Sequence, residues 1–88
     1  METLAAFTSY LQNERRMAAK TVEAYQSDLA GFLGFLRTYL EEEPTPKRLG
    51  KLRARDVRAF LAQRRREGLS DASIARLLSS VKALYRWL

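Results

Sequence analysis

The last twenty residues, "LSDASIARLLSSVKALYRWL" (residues 69–88), show the clearest helical pattern in the chain. Their large apolar side chains recur every three or four residues, which places them on one side of a helix. This predicted buried stripe consists of Ile74, Leu77, Leu78, Val81, Leu84, Tyr85 and Leu88. The opposite side carries hydroxyls and cations and no acid, namely Arg76, Ser79, Ser80, Lys82 and Arg86. The stripe explains the apolar residues as core, and the polar side requires a separate explanation.

The same spacing predicts three further helices, over about residues 2–16, 20–41 and 54–67. The second is the longest, and its apolar stripe should form the spine of the core. The predicted stripes of these three helices are, in order, Leu4, Phe7 and Leu11; Val22, Tyr25, Leu29, Phe32, Leu33, Leu36, Tyr39 and Leu40; and Val57, Phe60 and Leu61. No stretch alternates polar and apolar residues as a strand would, and β-branched residues are few. The segment "EEEPTPKRLGK" (residues 41–51) has two prolines and a glycine, and it is predicted to be a polar connection within one domain. The fold class expected from these patterns is therefore all-α with four helices.

Local signals mark several helix ends. Pro44 disfavours helical geometry at Glu43, so the second helix should end among the three glutamates before it. Three arginines precede Gly68, as is typical of a helix C-terminus. Ser70 supplies an N-cap hydroxyl, so the fourth helix should begin immediately after "GLS".

Composition restricts the possible functions. The chain has 88 residues, enough for one small domain with one modest core. It contains no cysteine and no histidine, which removes the thiolate ligand, the commonest metal ligand and the commonest general base. We therefore expect no cofactor and no catalysis by this chain alone. It also lacks an apolar run of membrane-spanning length and a basic signal-peptide start, so we expect a cytoplasmic protein without a membrane partner.

The positive charge is concentrated in the second half of the chain. Residues 1–43 carry four basic and seven acidic side chains, whereas residues 44–88 carry twelve basic and three acidic ones. The halves have net charges of −3 and +9, within a total of +6. Such a basic segment most simply meets a polyanion, because binding to phosphates releases condensed counterions.

Three segments resemble, in the correct order, the core-binding (SAM-like) N-terminal domain of tyrosine recombinases, the Xer and phage-integrase family. "FTSYLQNERRMAAKTVEAYQSDLAGFLGFL" is similar to the family's opening "F..YL..ER.LS..T..AY..DL..F..FL". "LGKLRARDVRAFLAQRRREGLS" is similar to "L..LT..DVR.FL..L...GLS", and the final helix is similar to "LS..S..R.LS..R.FY.(F/W)L". The resemblance covers essentially all 88 residues.

The resemblance implies a four-helix orthogonal bundle, with residues 1–88 forming a single DNA-binding domain. In the family this domain is one half of a clamp around duplex DNA, with its second and fourth helices facing the major groove. Catalysis belongs to a separate C-terminal domain, whose motifs are not found in this sequence. The implied partners are duplex DNA, that catalytic domain and other recombinase protomers on DNA. None of the four tyrosines is expected to act as the nucleophile.

The DNA-contacting residues that this interpretation predicts lie on two helices. The fourth helix would contribute Ser73, Arg76, Ser79, Ser80, Lys82 and Arg86, and the second would contribute Lys20, Thr21, Ala24 and Ser27. Cations would reach phosphates or guanine edges, and hydroxyls would bond to phosphates. Because Arg76, Lys82 and Arg86 lie off the apolar stripe, alanine at each is expected to change stability by less than about 0.5 kcal/mol.

Helix chemistry and packing account for several remaining features. Arg64, Arg65 and Arg66 are expected mainly to complement the helix dipole, with the Arg64 stem lying along the apolar stripe. Gly31 and Gly34, on a face of small residues, indicate close helix packing or the approach of a DNA backbone. The sequence "MAAK" (residues 17–20) replaces the family's "LSP", so the second helix should lack a serine cap.

Two other functions also fit the sequence. The third and fourth helices, joined by "GLS", have the turn length of a helix-turn-helix regulator. Phe35 and Trp87 fall outside the main apolar stripes, and large exposed apolar residues can anchor a protein partner. A helical protein-interaction module is therefore the alternative from another functional class.

Overall fold

The computed structural model describes residues 2–88, and for Glu2 it describes the backbone only. The described chain is helical and contains no strand. It has four long helices and one helix of a single turn: α1 (Glu2–Asn13), α2 (Ala19–Leu40), α3 (Pro46–Leu49), α4 (Ala54–Arg66) and α5 (Asp71–Trp87). The all-α fold class is confirmed, and α1, α2, α4 and α5 correspond to the four predicted helices.

The core lies where the four long helices meet. α2 packs against both α1 and α5, and α4 packs against α5. Aromatic rings connect α2 to α4, since the Phe60 ring lies 5.2 Å from Phe32 and 5.4 Å from Phe35 between centroids. The fully buried large side chains include Phe7, Phe32, Phe60, Leu29, Leu33, Leu36, Leu49 and Leu84. The sequence stripes predicted these residues correctly, with the exception of Leu49.

Leu49 is buried because residues 46–49 form α3, within a segment predicted from the sequence to be a polar connection. Thr45 is its N-cap and accepts a hydrogen bond from the Arg48 backbone N–H at 3.2 Å, and Pro46 occupies the first turn. A threonine followed by proline is a known helix-start signal, although one turn is too short to show periodicity. The Tyr85 hydroxyl donates to the Leu49 carbonyl at 2.7 Å, which attaches α3 to α5.

The predicted helix ends agree with the structure to within a few residues. The Ser70 hydroxyl accepts from the Ser73 backbone N–H at 3.2 Å, as expected of the N-cap of α5. Gly68 takes a left-handed φ of 94°, which glycine adopts without strain. Ala18 makes no side-chain cap bond at the start of α2, in agreement with the missing serine.

Two predicted core positions are wrong. Tyr39 is 43% exposed and Leu88 is 45% exposed. Tyr39 instead donates from its hydroxyl to the Asp56 carboxylate at 2.9 Å, which connects α2 to α4 at the surface.

No helix within residues 2–88 combines the length and apolar character needed to cross a bilayer.

Candidate nucleic-acid interface

A partly buried ion pair joins the two helices that carry the predicted DNA-contacting residues. Asp28 on α2 is only 7% exposed, and both of its carboxylate oxygens accept hydrogen bonds from Arg76 on α5. Ser80, one turn further along α5, is fully buried and donates to the same carboxylate at 2.9 Å. Hydrogen bonding to Asp28 raises the pKa of Arg76, and the negative charge of the carboxylate adds to the effect. A carboxylate with three donors is well compensated for its removal from water.

This network corrects two of the sequence-based assignments. Ser80 was placed on the exposed polar side of the last helix, but its side chain is inside the protein and has no exposed surface. It lies close enough to Leu84 around the helix axis to be covered by α2, where Asp28 supplies a polar partner. Arg76 was predicted to be a free surface cation, whereas its charge is paired with Asp28. Asp28 itself was not predicted to take part, although it is the one acid of α2 beside the core residue Leu29.

The remaining polar residues of α5 form an outward-facing strip, defined here as the α5 strip: Ser79, Lys82 and Arg86. All three are exposed. Within the described part of the chain neither Lys82 nor Arg86 forms an ion pair, and α5 has no acid after Asp71. Ser73 is half-buried at the start of the helix, on the side facing α2. The α5 strip therefore presents uncompensated positive charge to solvent.

The predicted residues of α2 lie beside this region and contribute less charge. Lys20 and Ser27 are exposed, and Thr21 and Ala24 are partly buried. Spacing around the helix places Lys20, Ala24 and Ser27 along one line, with Gly31 continuing it. The structure thus leaves Lys20 as the one cation of this line, on a surface otherwise made of small side chains.

A polar surface cleft of about 340 Å³ lies between α2 and α5, next to their packed contact. Residues from both helices and from the end of α4 line it: Ser27, Asp28, Arg64, Leu69, Ser73, Arg76 and Leu77. Two guanidinium groups and two hydroxyls are among its polar groups, and all four can donate hydrogen bonds to a ligand. The cleft therefore brings Ser27 of α2 close to Ser73 and Arg76 of α5, although Ser27 is far from the other two in the sequence.

Arg64 lines this cleft, and two groups hold its side chain. Its guanidinium is 2.8 Å from the Glu67 carboxylate and lies 5.1 Å from the centroid of the Phe60 ring. A side chain at Gly31 would meet the Arg64 guanidinium, since an added Cβ would lie 2.5 Å from Nη2. Arg64 lies over Phe60 of the apolar stripe, in agreement with the expected position of this side chain, whereas Gly31 faces only the movable end of Arg64. Gly34 has open space above it.

Phe35 and Trp87 are half-buried, contrary to the expectation that they are exposed anchors. The Trp87 ring lies 5.3 Å from Phe7 and 6.1 Å from Tyr10, and it covers the contact between α1 and α5. Phe35 packs on Phe60 and stacks on Tyr39 at 5.1 Å. Their rings therefore serve internal packing, which weakens the case for a protein-interaction module.

The phenol of Tyr85 is held in its neutral form. Burial raises the pKa of Tyr85 to about 12, and its hydroxyl is already donated to the Leu49 carbonyl. The pKa of Tyr39 is also raised, because its hydroxyl donates to Asp56. Both shifts oppose formation of a phenolate, in agreement with structural rather than nucleophilic roles.

These features define a small all-α domain with a partly buried ion pair between two helices and a basic polar strip on one of them. Comparison with known proteins identifies its family, since the sequence model described as "Phage integrase, N-terminal SAM-like domain" matches residues 4–88. The chain belongs to this family, and the resemblance to tyrosine recombinases is confirmed.

Similar proteins with established names agree with this assignment. The chain is 39% identical over 87 residues to the tyrosine recombinase XerC of Bradyrhizobium diazoefficiens, covering 99% of this chain and 27% of that protein. It is 43% identical over 74 residues to the tyrosine recombinase XerC of Agrobacterium fabrum, covering 84% of this chain and 24% of that protein. The chain thus spans about a quarter of the length of these relatives. No solved structure matches it.

Proposed function

We propose that this domain binds duplex DNA through α2 and α5 and thereby positions the catalytic domain of a site-specific tyrosine recombinase. The observation that carries the proposal is the α5 strip, where Lys82 and Arg86 are exposed and without ion pairs in the described chain. Cations in this state can neutralise phosphates without first losing a protein partner. Family membership supports the assignment of the domain to a recombinase.

The predicted DNA-contacting residues have different roles in this proposal. Lys82, Arg86 and Lys20 supply charge, and the hydroxyls of Ser79, Ser27, Ser73 and Thr21 bond to phosphate or sugar oxygens. Ala24 permits close approach of the backbone. Ser80 does not contact DNA in this proposal. Its buried hydroxyl bonds, within residues 3–88, to Asp28 and to the Arg76 carbonyl of its own helix, and so it supports the interface from inside the protein.

The experiment measures binding of the 88-residue chain to a duplex of about 15 base pairs, roughly one and a half helical turns, across a salt series. We expect Lys82→Ala and Arg86→Ala each to weaken binding and to reduce the salt slope by about one unit. Arg65→Ala and Arg66→Ala are matched controls on α4, and they should weaken binding less. Equal losses from both helices would indicate diffuse attraction, and no loss from either α5 variant would exclude the proposed surface.

A second measurement tests whether DNA cleavage requires a separate catalytic domain. This chain should neither nick supercoiled DNA nor form a covalent adduct with it, because it contains no histidine and its buried tyrosine Tyr85 is kept neutral. Denaturing gels with a nicked suicide substrate detect such an adduct. A protein–DNA species that survives denaturation would contradict the non-catalytic role.

The proposed partners are duplex DNA, the catalytic domain of the same recombinase and further protomers on the same DNA. The chain spans about a quarter of its relatives, so a larger polypeptide would supply the chemistry. In this arrangement the domain contributes affinity for duplex DNA and orients the catalytic domain on it. Salt-insensitive binding to a protein, without binding to duplex DNA, would favour the interaction-module alternative.

A further inference from the structure

The guanidinium of Arg76 has one hydrogen-bonding edge occupied and one edge unused. Nε and Nη2 donate to the Asp28 carboxylate at 2.9 and 2.8 Å. Because the guanidinium is planar and has five N–H groups, Nη1 and the second hydrogen of Nη2 form another edge that points away from the side-chain stem. No acceptor within residues 3–88 bonds to Nη1. The side chain is 49% exposed and lines the cleft between α2 and α5, so a ligand in the cleft can reach it.

Asp28 and Ser80 restrain the orientation of the Arg76 guanidinium. Asp28 is nearly buried and is itself held by the buried Ser80 hydroxyl, so the carboxylate has little freedom to move. A two-point contact with that carboxylate restricts the torsion angles of the Arg76 side chain. The entropy of ordering the guanidinium is therefore lost on folding rather than on binding a ligand, which favours geometric recognition.

The charge of Arg76 is compensated, in contrast to the charges of Lys82 and Arg86. A phosphate at the free edge would be attracted by the guanidinium and repelled by the nearby Asp28 carboxylate. A neutral group with two adjacent acceptors meets no such repulsion. The O6 and N7 atoms of guanine in the major groove are such a pair, and arginine binds them with two hydrogen bonds.

We propose that Arg76 reads the O6/N7 edge of a guanine in the major groove and that Asp28 is the residue that positions it for this contact. This inference rests on the proposed DNA-binding function and assigns specificity within the same surface. Arg76 supplies base discrimination, and the free cations of the α5 strip supply the salt-dependent affinity. Ser27 and Ser73, which line the same cleft, lie beside the bound base edge.

The first test uses the unmodified chain. Duplexes are enriched from a randomised pool by rounds of binding, and each guanine of the enriched sequence is then replaced by 7-deazaguanine, which lacks the N7 acceptor. We expect one guanine at which this replacement weakens binding by about 5- to 150-fold, the range of a good bidentate contact. The other guanines should show little change. If no guanine in the enriched sequence responds, the proposal is wrong.

The second test assigns that guanine to Arg76. Arg76→Lys keeps the charge and removes the fork, so binding should weaken and the effect of 7-deazaguanine should fall below about twofold. Lys82→Ala is the matched control on the same helix. It should weaken binding to both duplexes equally and leave the effect of 7-deazaguanine unchanged. All binding is measured well below the melting temperature of each variant.

Asp28→Asn separates positioning from a purely structural role. The amide keeps the shape of the side chain but no longer neutralises Arg76, so base discrimination should fall while the salt slope increases by up to about one unit. A residue needed only for folding would change neither quantity at a temperature where the variant is folded. Unchanged discrimination in Asp28→Asn would exclude the positioning role.

The outcomes distinguish failure of the inference from failure of the proposed function. Salt-dependent duplex binding without a sensitive guanine would leave the DNA-binding proposal intact and exclude guanine reading by Arg76. Unchanged base discrimination and an unchanged salt slope in Arg76→Lys would indicate a phosphate contact instead, because the lysine charge can also neutralise a phosphate. Absence of any duplex binding by the unmodified chain would exclude both.

Discussion

Asp28 and Arg76 lie 48 positions apart in the sequence, and the Arg76 guanidinium donates to both oxygens of the Asp28 carboxylate, at 2.9 and 2.8 Å. This pair joins α2 to α5, with the Asp28 carboxylate buried and the Arg76 side chain half exposed. A helical wheel places Arg76 on the polar side of α5, but its bonds to Asp28 also give it a structural role. The pair is therefore expected to affect stability as well as binding.

Arg76→Ala should lower the free energy of unfolding by about 1–3 kcal/mol. Among the described residues, the variant leaves the Asp28 carboxylate, which is 7% exposed, with Ser80 as its one remaining side-chain donor. Losing one partner of a buried pair typically costs more, but the Arg76 side chain is half exposed and water replaces part of the contact. Urea unfolding measures the change. Arg86→Ala, at an exposed and unpaired position, is the control and should stay within about 0.5 kcal/mol.

Truncation of the core at Phe60 or Leu29 should be far more costly. Phe60 is 0% exposed and Leu29 is 1% exposed, so alanine at either leaves a cavity and removes apolar contacts. We expect a loss of about 2–5 kcal/mol for each variant, which is a large part of the stability of a small domain. Thermal melts provide the readout. Leu88→Ala is the control, because that side chain is 45% exposed, and a similar loss there would contradict the assigned burial.

Tyr85→Phe tests whether α3 depends on its attachment to α5. The variant keeps the ring and removes the hydroxyl that donates to the Leu49 carbonyl at 2.7 Å. We expect a loss of about 0.5–1.5 kcal/mol and faster amide hydrogen exchange in residues 46–49. Tyr25→Phe is a matched control, because the Tyr25 hydroxyl has no hydrogen bond within the described chain. Equal effects of the two variants would argue against a role for the Leu49 contact.

Asp56 should make stability depend on pH in the acid range. Hydrogen bonds from the Arg53 backbone N–H and the Tyr39 hydroxyl lower the pKa of Asp56 below its ordinary value of 3.8. A carboxylate with a lowered folded-state pKa stabilises the fold above its unfolded-state pKa, and this contribution is lost as pH falls through the folded value. Wild type should therefore be more stable than Asp56→Asn near neutral pH, with the difference shrinking below about pH 4.

Urea unfolding of wild type and Asp56→Asn across a pH series checks this expectation. Tyr39→Phe removes one of the two donors, so its pH dependence should lie between those of the other two proteins. A constant difference between wild type and Asp56→Asn from neutral to acid pH would show that ionisation of Asp56 does not contribute.

The sequence by itself determined the four long helices and most of the core. Apolar residues such as Leu29, Phe60 and Leu84 repeat at helical spacing, and helical spacing is a local property that needs no knowledge of the neighbouring helix. Ser70 and Gly68 mark the turn before α5 for the same reason, because capping and left-handed φ values depend on a few adjacent residues. The basic character of residues 44–88 is likewise a direct property of composition.

Only the tertiary structure decided which polar residues remain available to a partner. Ser80 and Lys82 both lie off the main apolar stripe of α5, yet Ser80 is covered by α2 and Lys82 is exposed. The physical reason is that burial of a polar group requires a partner, and the partner of Ser80 and Arg76 comes from another helix. Periodicity describes one helix at a time, so it cannot show that Asp28 on α2 pairs with Arg76 on α5 and occupies one edge of its guanidinium.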